Sequence, residues 1–217
     1  MALVERPRVR QTSEIDVLSA SEVRSLVRSA PTELYSALFL TASFTGLRMG
    51  ELLALRWGEV DFAAETIRVV RSFTLGGESS PKSGRSRSVP IVSDVATALA
   101  RLGQREHFTG DRDLVFAGTA GGHLDSNQVR TTYHQALSDA SLRRLRFHDL
   151  RHTFGTRAVE KAESILELKE WMGHANVQTT MRYLHYKSKA DAARRLSEAF
   201  AQDEASPAQP KPEPVHR

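Results

Sequence analysis

Cysteine is absent from the 217 residues. A disulfide framework, a thiolate zinc site and an iron–sulfur cluster are therefore excluded. No apolar run approaches the roughly 18 residues that a membrane span needs. Residues 1–15, MALVERPRVRQTSEI, are basic but lack the apolar core of a secretion signal. There is no internal repeat and no Walker or dinucleotide glycine pattern. These absences predict a soluble, intracellular chain. Lysine is also scarce: of 30 basic residues 24 are arginine, and the net charge is only +4. Arginine is the better planar fork for phosphate. A codon bias towards arginine would give the same ratio, so charge alone makes nucleic acid only one plausible partner.

The length suits one good-sized domain. Residues 1–17 are polar and aperiodic and read as a linker. Ser19 and Glu22 form the signature of a capping box for a helix over about 20–29. A second helix is expected from Pro31-Thr32, with Leu34, Leu38, Phe39 and Ala42 at helical spacing and Gly46 as its stop. A short helix over Arg48–Leu55 follows. The period then switches to strand. Glu65–Ser72 and Arg87–Val92 are expected to pair, with Gly76-Gly77 as a turn and Lys82, Ser83 and Gly84 in an exposed basic hairpin. From Ser93 the pattern is helical over about 93–105, 126–139, 148–160, 164–172, 176–186 and 189–201, with Leu114–Phe116 as an extra strand or plain extended chain. The tail 204–217 holds four of the eight prolines and should be disordered. The fold class is α+β, mostly helical, with a small antiparallel sheet at one edge.

Four segments carry candidate chemistry: TGLRMGE (45–51), PKSGRSRSVPI (81–91), RFHDLRHT (146–153) and WMGHANVQTTMRYLH (171–185). Arg48 would sit at a helix start, where backbone N–H groups favour anions, or would simply pair with Glu51 at i,i+3. His148 and Arg151 share a helix face and suit phosphate binding and proton transfer; a half-buried helix start is the alternative. His148 and His152 also have the i,i+4 spacing of a zinc-binding helix, with His174 as a third ligand. Against a metal stand Asp149 where the zinc-protease signature has Glu, the positive charge of Arg151, and the tyrosine nearby. Tyr183 is either a core aromatic or a nucleophile, and a phenol needs cations or a base beside it to attack. Tyr186, Tyr133 and Tyr35 are its competitors. Lys82 is a solvated lysine or a group that swings into a site, with Arg85 and Arg87 as further phosphate contacts.

Taken in order, the four segments resemble the catalytic domain of the tyrosine recombinases, also called the phage integrase family. TGLRMGE resembles the family's first arginine motif and FHDLRHT its His-x-x-Arg motif. WMGHANVQTTMRYLH resembles the closing segment with the second histidine and the tyrosine, and PKSGRSRSVPI the hairpin with the catalytic lysine. The resemblance spans about Leu18 to Phe200.

The resemblance implies that Arg48 and Arg151 clamp a DNA phosphate. Lys82 is then the general acid, His148 a helper acid/base, His174 a hydrogen-bond partner of the phosphate and Tyr183 the nucleophile. Tyr183 rather than Tyr186 matches, because it precedes Leu184-His185 after Thr179-Thr180. Glu51 and His152 fall on supporting positions. The implied reaction is site-specific DNA recombination: cleavage through a 3′-phosphotyrosyl link and rejoining, with no metal and no cofactor. A type IB topoisomerase-like relaxation activity and a non-catalytic DNA-binding accessory protein are the alternatives. The resemblance further implies a catalytic domain over 18–203, with 1–17 as a linker or remnant of an N-terminal DNA-binding domain. It implies double-stranded DNA as partner and assembly on DNA through the helix bearing Ala193, Leu196 and Phe200, with packing of that stripe in cis as the alternative and a monomer compatible with the isolated chain. No membrane is involved; the setting is the cytoplasm of a bacterium, with a bacterial or phage origin.

Overall fold

A computed structural model describes residues 16–74, 77–80, 86–162 and 164–186. Lys82, Arg85, the helix expected over 189–201 and the tail over 204–217 lie outside the described residues.

The first helix, α1 (Ala20–Arg28), has the capping box: the Ser19 side chain accepts from Glu22 N, and Glu22 reaches back to Ser19 N. Arg143 ties this start down, bonding Asp16, the Val17 carbonyl and Glu22. Helix α2 (Glu33–Thr45) begins at the Thr32 cap and ends at Gly46 in the left-handed region. Ala37 through Ser43 are all buried, so α2 is the central post of the core rather than a surface helix. Its hydroxyls need partners there: Thr41, Ser43 and Thr45 donate to carbonyls one turn back. Around α2 pack α1, α4 (Ser93–Leu102) and α6 (Asp149–Ala158). Helix α5 (Ser126–Asp139), capped by Asp125, adds Val129, Tyr133 and Leu137 to the same core.

The short helix α3 (Met49–Leu53) leads into β1 (Val60–Asp61) and β2 (Thr66–Val69). The expected pairing of Glu65–Ser72 with Arg87–Val92 is present within a three-stranded sheet, and a separate two-stranded sheet accompanies it. β2 pairs with β1 on one side and β5 (Arg87–Pro90) on the other, whereas β3 (Ser72–Thr74) and β4 (Gly77–Ser79) form a separate antiparallel pair. Gly77 opens β4 rather than turning between the strands that pair across the main sheet, and Gly76 lies outside the described residues. Pro90 is tolerated because β5 is an edge strand. Leu114–Phe116 runs extended: Leu114 bridges Arg56, Val115 N donates to the Leu55 carbonyl at 2.8 Å, and Val115 and Phe116 lie in the core.

A second, smaller apolar cluster forms beside the first. It joins Phe154 and Ala158 of α6 and the following Val159 with Leu168 and Met172 of α7 (Ile165–Met172), and it includes Tyr183. The last described elements are α8 (Val177–Met181) and a 3-10 helix over Arg182–Tyr186, where the sequence pattern predicts one continuous helix. Among the described residues no helix is long and apolar enough to cross a membrane.

Candidate active site

Helix α6 is buried from Asp149 to Thr156, yet it carries Arg151 and His152 inside. Buried charge is costly unless it is paired, so the surroundings of these two side chains decide what they do. Arg151 is 3% exposed. It donates to the carbonyls of Gly46, at the end of α2, and Met172, at the end of α7. Burial first, and then repulsion from Arg48, bring its pKa down to about 9, which leaves it a cation at neutral pH. Arg48, the residue before α3, donates to Glu51 Oε1 at 2.9 Å and to the Gly173 carbonyl at 2.9 Å. Two arginines from distant segments thus grip the same two-residue stretch, Met172-Gly173.

Gly173 permits that approach. Its φ of 57° lies in the left-handed region, and a Cβ there would sit 2.8 Å from the Arg87 guanidinium carbon. Arg87, expected as a phosphate contact, is engaged within the protein in this structure. On β5 it shares the inward face with buried Val89, two residues on. Its Nη1 and Nη2 meet Glu51 at 2.9 and 2.7 Å, and Nε donates to the Trp171 carbonyl at 2.9 Å. Its side chain is 7% exposed. It braces the site through Glu51. Burial pushes the Glu51 carboxyl up, but the bonds and charges of Arg87, then Arg48, bring it below the usual range.

His174 and Tyr183 complete the cluster. The His174 Nδ1 lies 2.8 Å from the buried Thr180 hydroxyl. Burial, followed by Arg151, Arg48 and Arg87, pushes its pKa down to about 3, so it is neutral and sits in a strongly positive field. The Tyr183 ring lies parallel to that of His174, centroids 6.4 Å apart. Tyr183 is 1% exposed, and its hydroxyl is 2.8 Å from His152 Nδ1. It fits against α6 only because position 155 is glycine: a Cβ there would be 2.6 Å from Tyr183 Cε1 and Cζ. Burial pushes the Tyr183 phenol up to about 12, against the opposing charges of Arg151 and Arg182.

His148 is exposed just before α6, its ring edge-on to that of His152 at 5.1 Å. Desolvation and then Arg151 lower its pKa. His148, His152 and His174 do not make a metal-holding group among the described residues.

Arg48, Glu51, His148, Arg151, His152, His174 and Tyr183 are therefore gathered at one locus. Sequence reasoning missed Arg130 on α5. It lines two adjoining clefts of about 720 and 390 Å³, one bounded by Arg48 and the other by His148 and Arg151. Its described partners are the neutral Ser126 and Asn127 side chains. Its place on the exposed face of an otherwise core-packed helix was the available signal.

The sequence model of the phage integrase family matches residues 16–190. A tyrosine recombinase XerC-like protein of Caldanaerobacter subterraneus subsp. tengcongensis is 30% identical, the match covering 89% of this chain and 57% of that protein. The tyrosine recombinase XerC of Corynebacterium efficiens is 32% identical over 77% of this chain and 49% of its own length. The chain spans about half the length of the curated relatives it matches. Among solved structures, XerA recombinase superposes with a TM-score of 0.65 at 23% identity, covering 85% of this chain and 65% of that one. The catalytic domain of bacteriophage HP1 integrase gives 0.56 at 20% identity, covering 90% of this chain and 100% of that one. At these identities the likeness concerns the fold.

Proposed function

The chain belongs to the phage integrase family, and we propose that it cleaves and rejoins DNA strands in site-specific recombination, with Tyr183 as nucleophile. Tyr183 Oη attacks the scissile phosphorus, the bond to the 5′-oxygen breaks, and the 3′-phosphate stays on the tyrosine until another strand's 5′-hydroxyl displaces it. Arg48 and Arg151 hold the non-bridging oxygens once their backbone partners yield to phosphate. His174 adds a neutral hydrogen bond. His148, at the rim, assists proton movement, and Lys82 protonates the departing oxygen. Arg130 and Arg85 contact neighbouring phosphates. Such fixed cations stabilise the crowded, negatively charged transition state without reorganisation.

One observation carries this reading: two arginines, a histidine and a sequestered tyrosine from three distant segments meet in one cluster, where Arg48, Arg87 and Arg151 surround the buried Glu51 carboxylate. Double-stranded DNA is the proposed partner and the cytoplasm the proposed setting. Residues 18–203 form the proposed catalytic unit, with assembly on DNA through the segment 189–201.

The test is capture of covalent adducts. The chain is incubated with nicked duplexes of randomised sequence, and protein-bound DNA is recovered under denaturing conditions and sequenced. The expected result is enrichment of a defined site, abolished by Tyr183→Phe with DNA binding nearly intact. No adduct from any duplex would overturn the proposal.

A further inference from the structure

The cluster contains one contact to which the scheme above gives no role. His152 Nδ1 lies 2.8 Å from the atom that must attack, and His152 is 7% exposed. We propose that His152 is a catalytic residue, the base that takes the Tyr183 proton during DNA cleavage; this rests on the reading that Tyr183 is the nucleophile.

A base is needed there. With its pKa raised to about 12 by burial, only about one Tyr183 in 10⁵ is ionised at pH 7. The neutral phenol must therefore lose its proton as the bond to phosphorus forms. Among the described residues no other side chain hydrogen-bonds that hydroxyl. His174 Nδ1 is engaged with Thr180, and its ring lies parallel to the tyrosine at 6.4 Å rather than end-on. The His148 ring abuts His152, not the phenol.

His152 is also in the right state to accept. The groups facing it are His148, Asp149 and Arg146 on its own segment, Arg182 and Tyr183 on the 3-10 helix, and His174. Burial, then the charges of His148 and Arg182, push its pKa down to about 4, with Asp149 opposing. The imidazole is thus neutral throughout the physiological range. A base so weak cannot strip the resting phenol, and it does not have to. The phenol becomes acidic as its oxygen bonds to phosphorus, and an arriving phosphate raises the proton affinity of the imidazole beside it.

The proton accounting closes. The Tyr183 proton passes from Oη to His152 Nδ1 and makes an imidazolium. The electron pair of the breaking bond goes to the 5′-oxygen, which takes its proton from Lys82 in the proposed scheme. On rejoining, the imidazolium returns the proton to the departing tyrosine oxygen. One hydrogen bond would serve both directions.

Two measurements test this. The first compares adduct formation by His152→Gln and His152→Ala with the parent chain, each with tyrosine or a fluorinated, more acidic tyrosine at 183. The expected loss is about 100-fold or more with tyrosine. With the acidic analogue most of the loss should vanish. The rate of the variants should rise with pH from 6 to 8 while the parent stays flat. A loss below threefold, a faster rate, or an equal loss with both nucleophiles would overturn the proposal. The reading of Tyr183 as nucleophile would survive those outcomes, because it depends only on the parent forming an adduct. The second measurement needs no variant at 152. Nitrogen-15 NMR of the histidine-labelled chain, with His152 assigned through its response to Tyr183→Phe, should show Nδ1 unprotonated and Nε2 protonated. A proton on Nδ1 would overturn the proposal, since that nitrogen would then be the donor.

Discussion

Replacing Glu51 with glutamine should loosen the whole site, and the magnitude follows from its contacts. Glu51 is 2% exposed and accepts from Arg48 N at 2.8 Å, Arg48 Nη1 at 2.9 Å, and Arg87 Nη1 and Nη2 at 2.9 and 2.7 Å. Its charge also supports Arg151. Three guanidinium groups thus depend on one carboxylate. Glutamine keeps the shape but turns an NH₂ group towards an arginine donor and removes the charge. Breaking a buried pair by removing one partner costs about 3–5 kcal/mol. Arg48 retains 25% side-chain exposure and its Gly173 bond, so the lower end, about 3 kcal/mol, is expected. Urea unfolding of the 217-residue chain at pH 7 would read this. Adding Arg87→Met to the variant should recover part of the loss, because the double variant no longer strands a buried cation. Inorganic phosphate should stabilise Glu51→Gln more than the parent. Since Glu51 has a lowered pKa, its contribution is present above the ordinary carboxylate pKa and is lost as pH falls through the lower folded value. The two chains should therefore converge in stability in acid. A loss under about 1 kcal/mol at pH 7 would show that these pairs behave like exposed ones and would refute the argument.

Gly155→Ala should push the Tyr183 ring off α6, costing about 1–3 kcal/mol and slowing adduct formation, whereas an ordinary Gly→Ala change inside a helix stabilises by about 1 kcal/mol. A more stable variant with unchanged cleavage would contradict the close contact seen at position 155. His152 and His174 have pKa values pushed down to about 4 and 3. The unfolded chain therefore binds protons below about pH 6.5 that the folded chain refuses, and stability should fall from pH 7.5 to pH 5. An unchanged urea midpoint across that window would count against the burial of these rings. Sulfur in place of the bridging 5′-oxygen needs no proton to leave, so it should restore cleavage by Lys82→Ala but not by Arg48→Ala. Failure of that rescue would move the acid role to another residue, His148 first.

Local signals gave the helices their boundaries. The Ser19–Glu22 capping box opens α1, and the span 126–139 coincides with α5, because caps and apolar periodicity are written in adjacent residues. The sheets were less legible. Two-residue β1 exists only through pairing with β2, and that pairing leaves no local pattern. The basic stretch makes Arg87 an expected phosphate contact. The alternation of Arg87 with Val89 was the stronger signal, since period two puts both on the inner face. The motif residues themselves stood out by type and order. What the sequence did not contain was the contact between His152 and Tyr183, which depends on how α8 and the 3-10 helix fold back onto α6.

The central claim is the identity of the nucleophile and the chemistry of its link. Protease digestion of the captured protein–DNA adduct, nuclease trimming and mass spectrometry of the remaining peptide test it most directly. The account predicts a nucleotide joined through its 3′-phosphate to the peptide containing Tyr183, with fragmentation placing the mass on that residue. A nucleotide on Tyr186 or any other side chain, or a link through a 5′-phosphate, would contradict it.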